Sequence, residues 1–303
     1  MFIIIFLYLL YASIFVIGKY AIMTSQPVFL TGVRMACAGV ISYALHCFWY
    51  KTPQFSLLKK MDWFIIVLIA FFNVYMTNAG EFWSLQYMSA GKTSFIYNFS
   101  PFLVLIFSAI LFSEKVTWRK LLGMLIGFLS VMPMLIGDTS VIDTTRHFGP
   151  LSVAEFVMLG AATATSLGWV LMRYFVHRHV LTPYFLNSVS LLLGGMMCLV
   201  HSFLFENRPF IITDSMSEFI FYMSAMMLIQ NVGAYNLHAH LLKHCSATLV
   251  ALFLFVMPLQ TVILGKIFLG EPITYMFFLC SAGVALGLFV FYLDEIVALP
   301  DKK

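Results

Sequence analysis

The chain has 303 residues, of which 62% are hydrophobic and only 10% charged, with a formal net charge of +4. A soluble domain carries about 25% charged residues to solvate its outside, so this surface must face mostly lipid. The small basic excess is confined to loops and points away from a nucleic-acid partner. A membrane crossing needs about 20 apolar residues, so the length accommodates ten crossings with short loops and no soluble domain.

The apolar runs give expected helices, in order, over 2–22, 28–50, 63–86, 90–112, 116–137, 152–176, 183–204, 217–241, 246–269 and 273–293. The first lacks a basic leader and a small-residue cleavage site, and reads as a helix of the mature protein rather than a signal peptide. The second carries Arg34, and the third carries Asn73, Tyr75, Asn78 and Glu81. The fourth holds Lys92, Tyr97, Asn98 and Pro101; the fifth follows Glu114 and contains Gly123 and Gly127. Trp169 lies in the sixth, and Gln230, Asn231, Tyr235, Asn236, His238 and His240 in the eighth. Pro258 interrupts the ninth, and Glu271 precedes the tenth. The cysteines (Cys37, Cys47, Cys198, Cys245, Cys280) show no metal-ligand spacing and read as small buried apolar residues.

Loop charges set the expected orientation. With the N-terminus in the cytoplasm, inner loops hold Lys51, Lys59, Lys60, Lys115, Arg119, Lys120, Arg173, Arg178 and Lys243. The outer loops then hold only Arg146 and Arg208, diluted by acidic residues. That asymmetry follows the positive-inside rule and puts both termini in the cytoplasm.

The chain also repeats itself. Ser89-Ala90, Pro101, Glu114 and Thr117 match Ser246-Ala247, Pro258, Glu271 and Thr274, each pair 157 apart. Pro27, Phe29 and Leu30 match Pro183, Phe185 and Leu186, while Asn73, Val74 and Asn78 match Asn231, Val232 and Asn236. Val16, Lys19 and Tyr20 stand opposite Val170, Arg173 and Tyr174. A repeat of five helices reverses direction in its second copy. The expected fold is therefore all-α and integral to the membrane, with ten transmembrane helices as two inverted-topology five-helix repeats, the architecture of alternating access. The expected division is a first repeat over 1–137, an extracytoplasmic linker over 138–150, a second repeat over 151–294 and a cytoplasmic tail over 295–303.

These marks, namely the S-A…P…E-x-x-T block in the fourth and ninth helices, Arg34 in the second and the Gly-rich fifth helix, resemble the drug/metabolite transporter superfamily, in particular its EamA-type branch. The resemblance covers the chain. It implies a metabolite carrier in a bacterial inner membrane or its organellar equivalent, with a cavity lined by helices 1, 3, 4, 6, 8 and 9. Two departures stand out: Ser190 occupies the place of Arg34 in the second repeat, and Glu81 and Lys92 are charged where the pattern is apolar or small.

An intramembrane charge costs about 2.5 kcal/mol or more near the bilayer centre, so Arg34, Glu81 and Lys92 are candidates for a gate, a proton-coupling carboxylate or a clamp for a zwitterion. Snorkelling is the competing account of Lys92. Tyr11, Asn73, Tyr75, Asn78, Tyr97, Asn98, Trp169, Gln230, Asn231, Tyr235 and Asn236 are polar or aromatic at mid-depth, where amides must face the protein interior. They line a cavity or join helices. Pro101 and Pro258 are helix breaks, serving a gate or a static kink, while Glu114 and Glu271 suit helix N-termini. The His238, His240 and His244 group reads as an interfacial cluster rather than a metal site, and neither a metal nor a cofactor is expected.

Substrate-binding or gating candidates are thus Arg34, Asn78, Glu81, Lys92, Tyr97, Asn98, Trp169, Asn231, Tyr235 and Asn236. With no phosphate-binding loop, the driving force is a proton gradient or a counter-substrate. The partners are membrane lipids and a small polar, zwitterionic solute: an amino acid, or S-adenosylmethionine exchanged for S-adenosylhomocysteine. The alternative is a membrane-embedded enzyme acting on a lipid-linked substrate, although no H-E-x-x-H or G-x-S-x-G motif is present.

Overall fold

The computed structural model describes residues 2–50, 58–88, 90–113, 116–131, 147–148, 151–178, 182–269 and 275–297. These form ten helical rods: α1 (Phe2–Ala21), α2 (Pro27–Tyr50), α3 (Lys60–Ile69, Ala70–Met76 and Thr77–Leu85), α4 (Ala90–Tyr97 and Ser100–Phe112) and α5 (Trp118–Val131). The second half gives α6 (Val153–Arg178), α7 (Pro183–Phe205), α8 (Met216–Met226, Met227–Ala234 and Tyr235–His244), α9 (Ala247–Leu252, Phe253–Val256 and Met257–Leu269) and α10 (Tyr275–Val297). A small antiparallel hairpin, β1 (His147–Phe148) with β2 (Leu151–Ser152), enters α6 within an otherwise mainly helical molecule. Glu114, Glu271 and the linker residues 138–146 lie outside the described residues.

Local chemistry sets the helix ends. Thr182 caps α7, its hydroxyl accepting from the Phe185 amide at 3.3 Å, and Pro183 follows in the first turn, where its missing N–H costs nothing. Ser246 caps α9 in the same way, accepting from the Leu249 amide at 3.1 Å. The start of α2 is capped from a distance. Glu206, just past α7, accepts from the Val28 amide at 2.7 Å and the Phe29 amide at 2.8 Å. Beside it the loop chains pair, with Gln26 donating to the Phe210 carbonyl at 2.8 Å and Ile212 to the Thr24 carbonyl at 2.9 Å.

Two pairs of equivalent helices, α2 with α7 and α5 with α10, pack against each other and run antiparallel. In the α2–α7 pair a Cβ on Gly39 would stand 2.7 Å from the Leu192 amide nitrogen, so only glycine permits this approach. In the α5–α10 pair a Cβ on Gly287 would stand 2.7 Å from the Gly123 carbonyl oxygen. Small residues that let backbones close together are the membrane's substitute for a hydrophobic drive between helices. Two helices meeting their own counterparts in reverse are what an inverted repeat about an axis in the membrane plane produces. Large apolar side chains on the outside, such as Phe205, Phe221 and Trp118, are more than two-thirds exposed and form the lipid-facing surface.

The remaining six helices surround the centre, and four of them depart from regular α geometry. Helices α3 and α8 each contain a π-helical stretch, Ala70–Met76 and Met227–Ala234, whose first residues differ by 157. The sequence pattern predicted plain helices here. A π turn leaves carbonyls that nothing in lipid can satisfy, and side chains fill the gap. Asn78 donates to the Val74 carbonyl at 2.9 Å and Asn236 to the Val232 carbonyl at 2.8 Å, matching positions in the two repeats. Thr77 adds a bond to the Phe72 carbonyl at 2.8 Å. Helix α4 breaks at 98–99 ahead of Pro101, while α9 tightens to a 3₁₀ turn over Phe253–Val256 ahead of Pro258.

Candidate functional site

The breaks converge on a narrow central cavity of only about 20 Å³, room for little more than a water molecule and far below the size of an open ligand pocket. Its walls come from equivalent positions carrying unlike side chains. Tyr11 of α1 and Thr165 of α6 both line it, as do Phe15 and Trp169, each pair separated by 154 residues. Tyr97 of α4 and Leu254 of α9, 157 apart, form the next pair. Glu81, Gln230, Tyr235 and Met257 complete the lining, and their counterparts are Ala239, Phe72, Thr77 and Ser100. The cavity thus straddles the pseudo-symmetry axis, and its chemistry does not share the symmetry.

One side is polar. Arg34 is fully buried, and its Nη1 donates to Gln230 Oε1 at 2.8 Å while Nη2 lies 3.4 Å from Asn78 Oδ1. The guanidinium carbon sits 4.6 Å from the Phe82 ring centroid. Asn78 donates in turn to the Tyr235 hydroxyl at 2.9 Å. Arg34 therefore stands behind the wall and presents its charge through Gln230 and Tyr235, with Glu81 beside them, 4% exposed and on the cavity. In the second repeat the cation is absent: Asn187, one turn before Ser190, donates to Asn236 Oδ1 at 3.0 Å and to the Tyr235 carbonyl at 2.9 Å.

The other side is aromatic. The Tyr97 hydroxyl donates to Thr165 Oγ1 at 2.9 Å, which fixes its ring 6.5 Å from that of Trp169. Trp169 lies 4.3 Å from the His238 ring, and Tyr11 joins His238 through its hydroxyl, 3.1 Å from Nδ1. Tyr11 also lies 6.2 Å from Tyr235, so the rings form a continuous belt.

Four sequence candidates, Glu81, Tyr97, Trp169 and Tyr235, thus line the cavity, and Arg34 and Asn78 support its polar wall. Asn231 faces α2, donating to Met35 Sδ at 2.9 Å, and Asn236 serves its own helix and Asn187, so both join helices rather than face solute. Asn98 is fully buried at the α4 break, and neither amide atom has a hydrogen-bond partner among the described residues. The Lys92 side chain lies outside the described residues. His238 corrects the expectation of an interfacial cluster: it is 2% exposed and part of the belt, whereas His240 and His244 are exposed and pair with each other at 4.9 Å. Phe15, Leu254 and Met257 escaped notice because apolar residues in membrane helices look alike, and Thr165 because a helix can satisfy a threonine hydroxyl on its own backbone. Aligning the repeats through Tyr97 and Trp169 would have found Leu254 and Phe15.

Comparison with known proteins agrees with this geometry. The model of the EamA-like transporter family matches residues 1–136 and 152–293. A protein of Chlamydia muridarum named as an S-adenosylmethionine/S-adenosylhomocysteine transporter is 30% identical over 287 residues, covering 94% of this chain and 89% of its own. Its namesake in Chlamydia trachomatis (serovar L2) is likewise 30% identical, over 94% of this chain and 86% of its own. An uncharacterised transporter of Bacillus subtilis is 25% identical over 89% of this chain and 83% of its own. A crystal structure 16% identical in sequence superposes with a TM-score of 0.75 over 96% of both chains and shares the fold. These relatives are named as transporters, and an enzyme acting on lipid-linked substrates has no support among them. Two inverted five-helix halves around a central polar and aromatic cavity are what such a carrier requires, and the chain belongs to the EamA-like transporter family of multi-pass membrane proteins.

Proposed function

We propose that this transporter exchanges S-adenosylmethionine for S-adenosylhomocysteine across a bacterial cytoplasmic membrane, with both termini in the cytoplasm. The observation that carries the proposal is the division of one cavity into a polar wall and an aromatic belt. The solute is divided in the same way. Its amino-acid end is a zwitterion, complemented by Glu81 and by the Gln230 and Tyr235 groups that Arg34 organises. Its sulfonium suits the faces of Tyr and Trp rings, and its adenine offers a flat surface for stacking. The names of the chlamydial relatives support the same substrate pair. Counter-exchange accounts for transport without a nucleotide-binding domain, since each outward and inward step carries a ligand that pulls the cavity from one face to the other.

The test is reconstitution into proteoliposomes. Labelled S-adenosylmethionine should enter vesicles preloaded with S-adenosylhomocysteine and stay outside empty ones. Equal entry into both would refute exchange. Entry of a neutral amino acid in place of the adenosyl compound would refute the substrate.

A further inference from the structure

We propose that His238 reads the base of the transported nucleoside: its Nε2 bonds to the edge of an aminopurine stacked in the aromatic belt. The solute would then lie with its base toward the α8 end at His244 and its amino-acid end toward Glu81. This inference rests on the substrate assigned above.

The imidazole is 2% exposed, and two of its contacts are settled. Nδ1 faces the Tyr11 hydroxyl at 3.1 Å, and the ring lies 4.3 Å from Trp169. Both of those neighbours line the cavity. Nε2 is buried and has no hydrogen-bond partner among the described residues. A buried polar atom left unmet is costly, and no lipid group can answer it. Packing alone does not explain it, because phenylalanine would fill the same space without an orphan nitrogen. Scaffold symmetry does not explain it either, because the equivalent position in α3 is Gly80.

The identity of the missing partner follows from the two tautomers. If Tyr11 donates to Nδ1, Nε2 carries the proton and needs an acceptor; if Nδ1 donates, Nε2 needs a donor. An aminopurine edge presents a ring-nitrogen acceptor next to an amino donor, so it satisfies either form. Orientation follows from position. His238 is six residues from the end of α8 at His244, and Glu81 is four residues from the end of α3 at Leu85, on the opposite membrane face.

The test is competition against labelled S-adenosylhomocysteine exchange by two analogues, one with the purine N7 replaced by carbon and one lacking the 6-amino group. The wild-type protein should reject at least one roughly tenfold, as expected when a hydrogen-bonding site meets a ligand lacking its partner. The His238→Phe variant should lose that selectivity, and His238→Gln should retain part of it. Wild-type indifference to both analogues, or unchanged selectivity in His238→Phe, would overturn the inference. If His238→Phe does not fold, wild-type selectivity together with His238→Gln decides. A wild-type protein that exchanges adenosyl compounds without base selectivity refutes His238 alone. One that exchanges none refutes the proposed substrate as well.

Discussion

Replacing Arg34 by methionine separates transport from stability. The guanidinium is fully buried in α2, and among the described residues its side-chain hydrogen bonds run to neutral groups, Gln230 at 2.8 Å and Asn78 at 3.4 Å. Losing the Gln230 bond costs about 1.5–3 kcal/mol as a charge-assisted interaction, and losing the Phe82 stack costs about 0.5–2 kcal/mol. The Asn78 contact is too long to add much. Against these losses, removing a charge from membrane depth recovers about 2.5–3.5 kcal/mol. The two sides overlap, so Arg34→Met should change stability by no more than about 2.5 kcal/mol. Transport has no such compensation, because Gln230 loses the charged group that holds it on the cavity wall. Exchange should fall at least tenfold, which corresponds to about 1.4 kcal/mol of lost positioning. Thermal unfolding in detergent and exchange in proteoliposomes, measured on the same preparation, provide the check. Arg34→Lys should also fail, because an ammonium cannot form the fork that spans two acceptors. Full transport in Arg34→Met, or a stability loss large enough to explain its inactivity, would refute the reasoning.

Glu81→Gln keeps the size of the side chain but removes its carboxylate and turns one acceptor oxygen into a donor, so transport should drop sharply; unchanged transport with an unchanged pH profile would make Glu81 an interface residue. Gly39→Ala should destabilise by about 1–3 kcal/mol, because its methyl meets the Leu192 backbone. Gly160→Ala, with nothing within 4 Å, should be neutral or slightly stabilising in the same unfolding assay. Glu206→Ala uncaps α2 and should cost about 1–2 kcal/mol, with faster amide exchange at Val28 and Phe29 as its local signature. Retained protection at those amides would mean that the pairing of residues 24–26 with 210–213 holds the helix start unaided.

Most of the scaffold was legible in the linear order of residues. Ten apolar runs bounded by prolines, glycines and charges became ten helical rods, with ends displaced by a few residues. The repeated prolines marked the helices that break, because a missing N–H acts within its own helix. The π-helical stretches were not legible. The amides of Asn78 and Asn236 meet carbonyls four residues back in these stretches, but a plain helix with the same composition looks identical in sequence.

For the site, residue order was enough to show which charges and amides were out of place in a membrane, because an unmet polar group is penalised according to its type and depth. Where each one sits depends on the packed fold. Arg34 stands behind the wall, Glu81 on it, Asn231 and Asn236 between helices, and His238 inside the aromatic belt rather than at the membrane surface. A helix carries its side chains around all sides, and which side faces a cavity is fixed by neighbours more than a hundred residues away. In this protein those neighbours come from the opposite repeat, as with Arg34 and Gln230 or Tyr11 and His238.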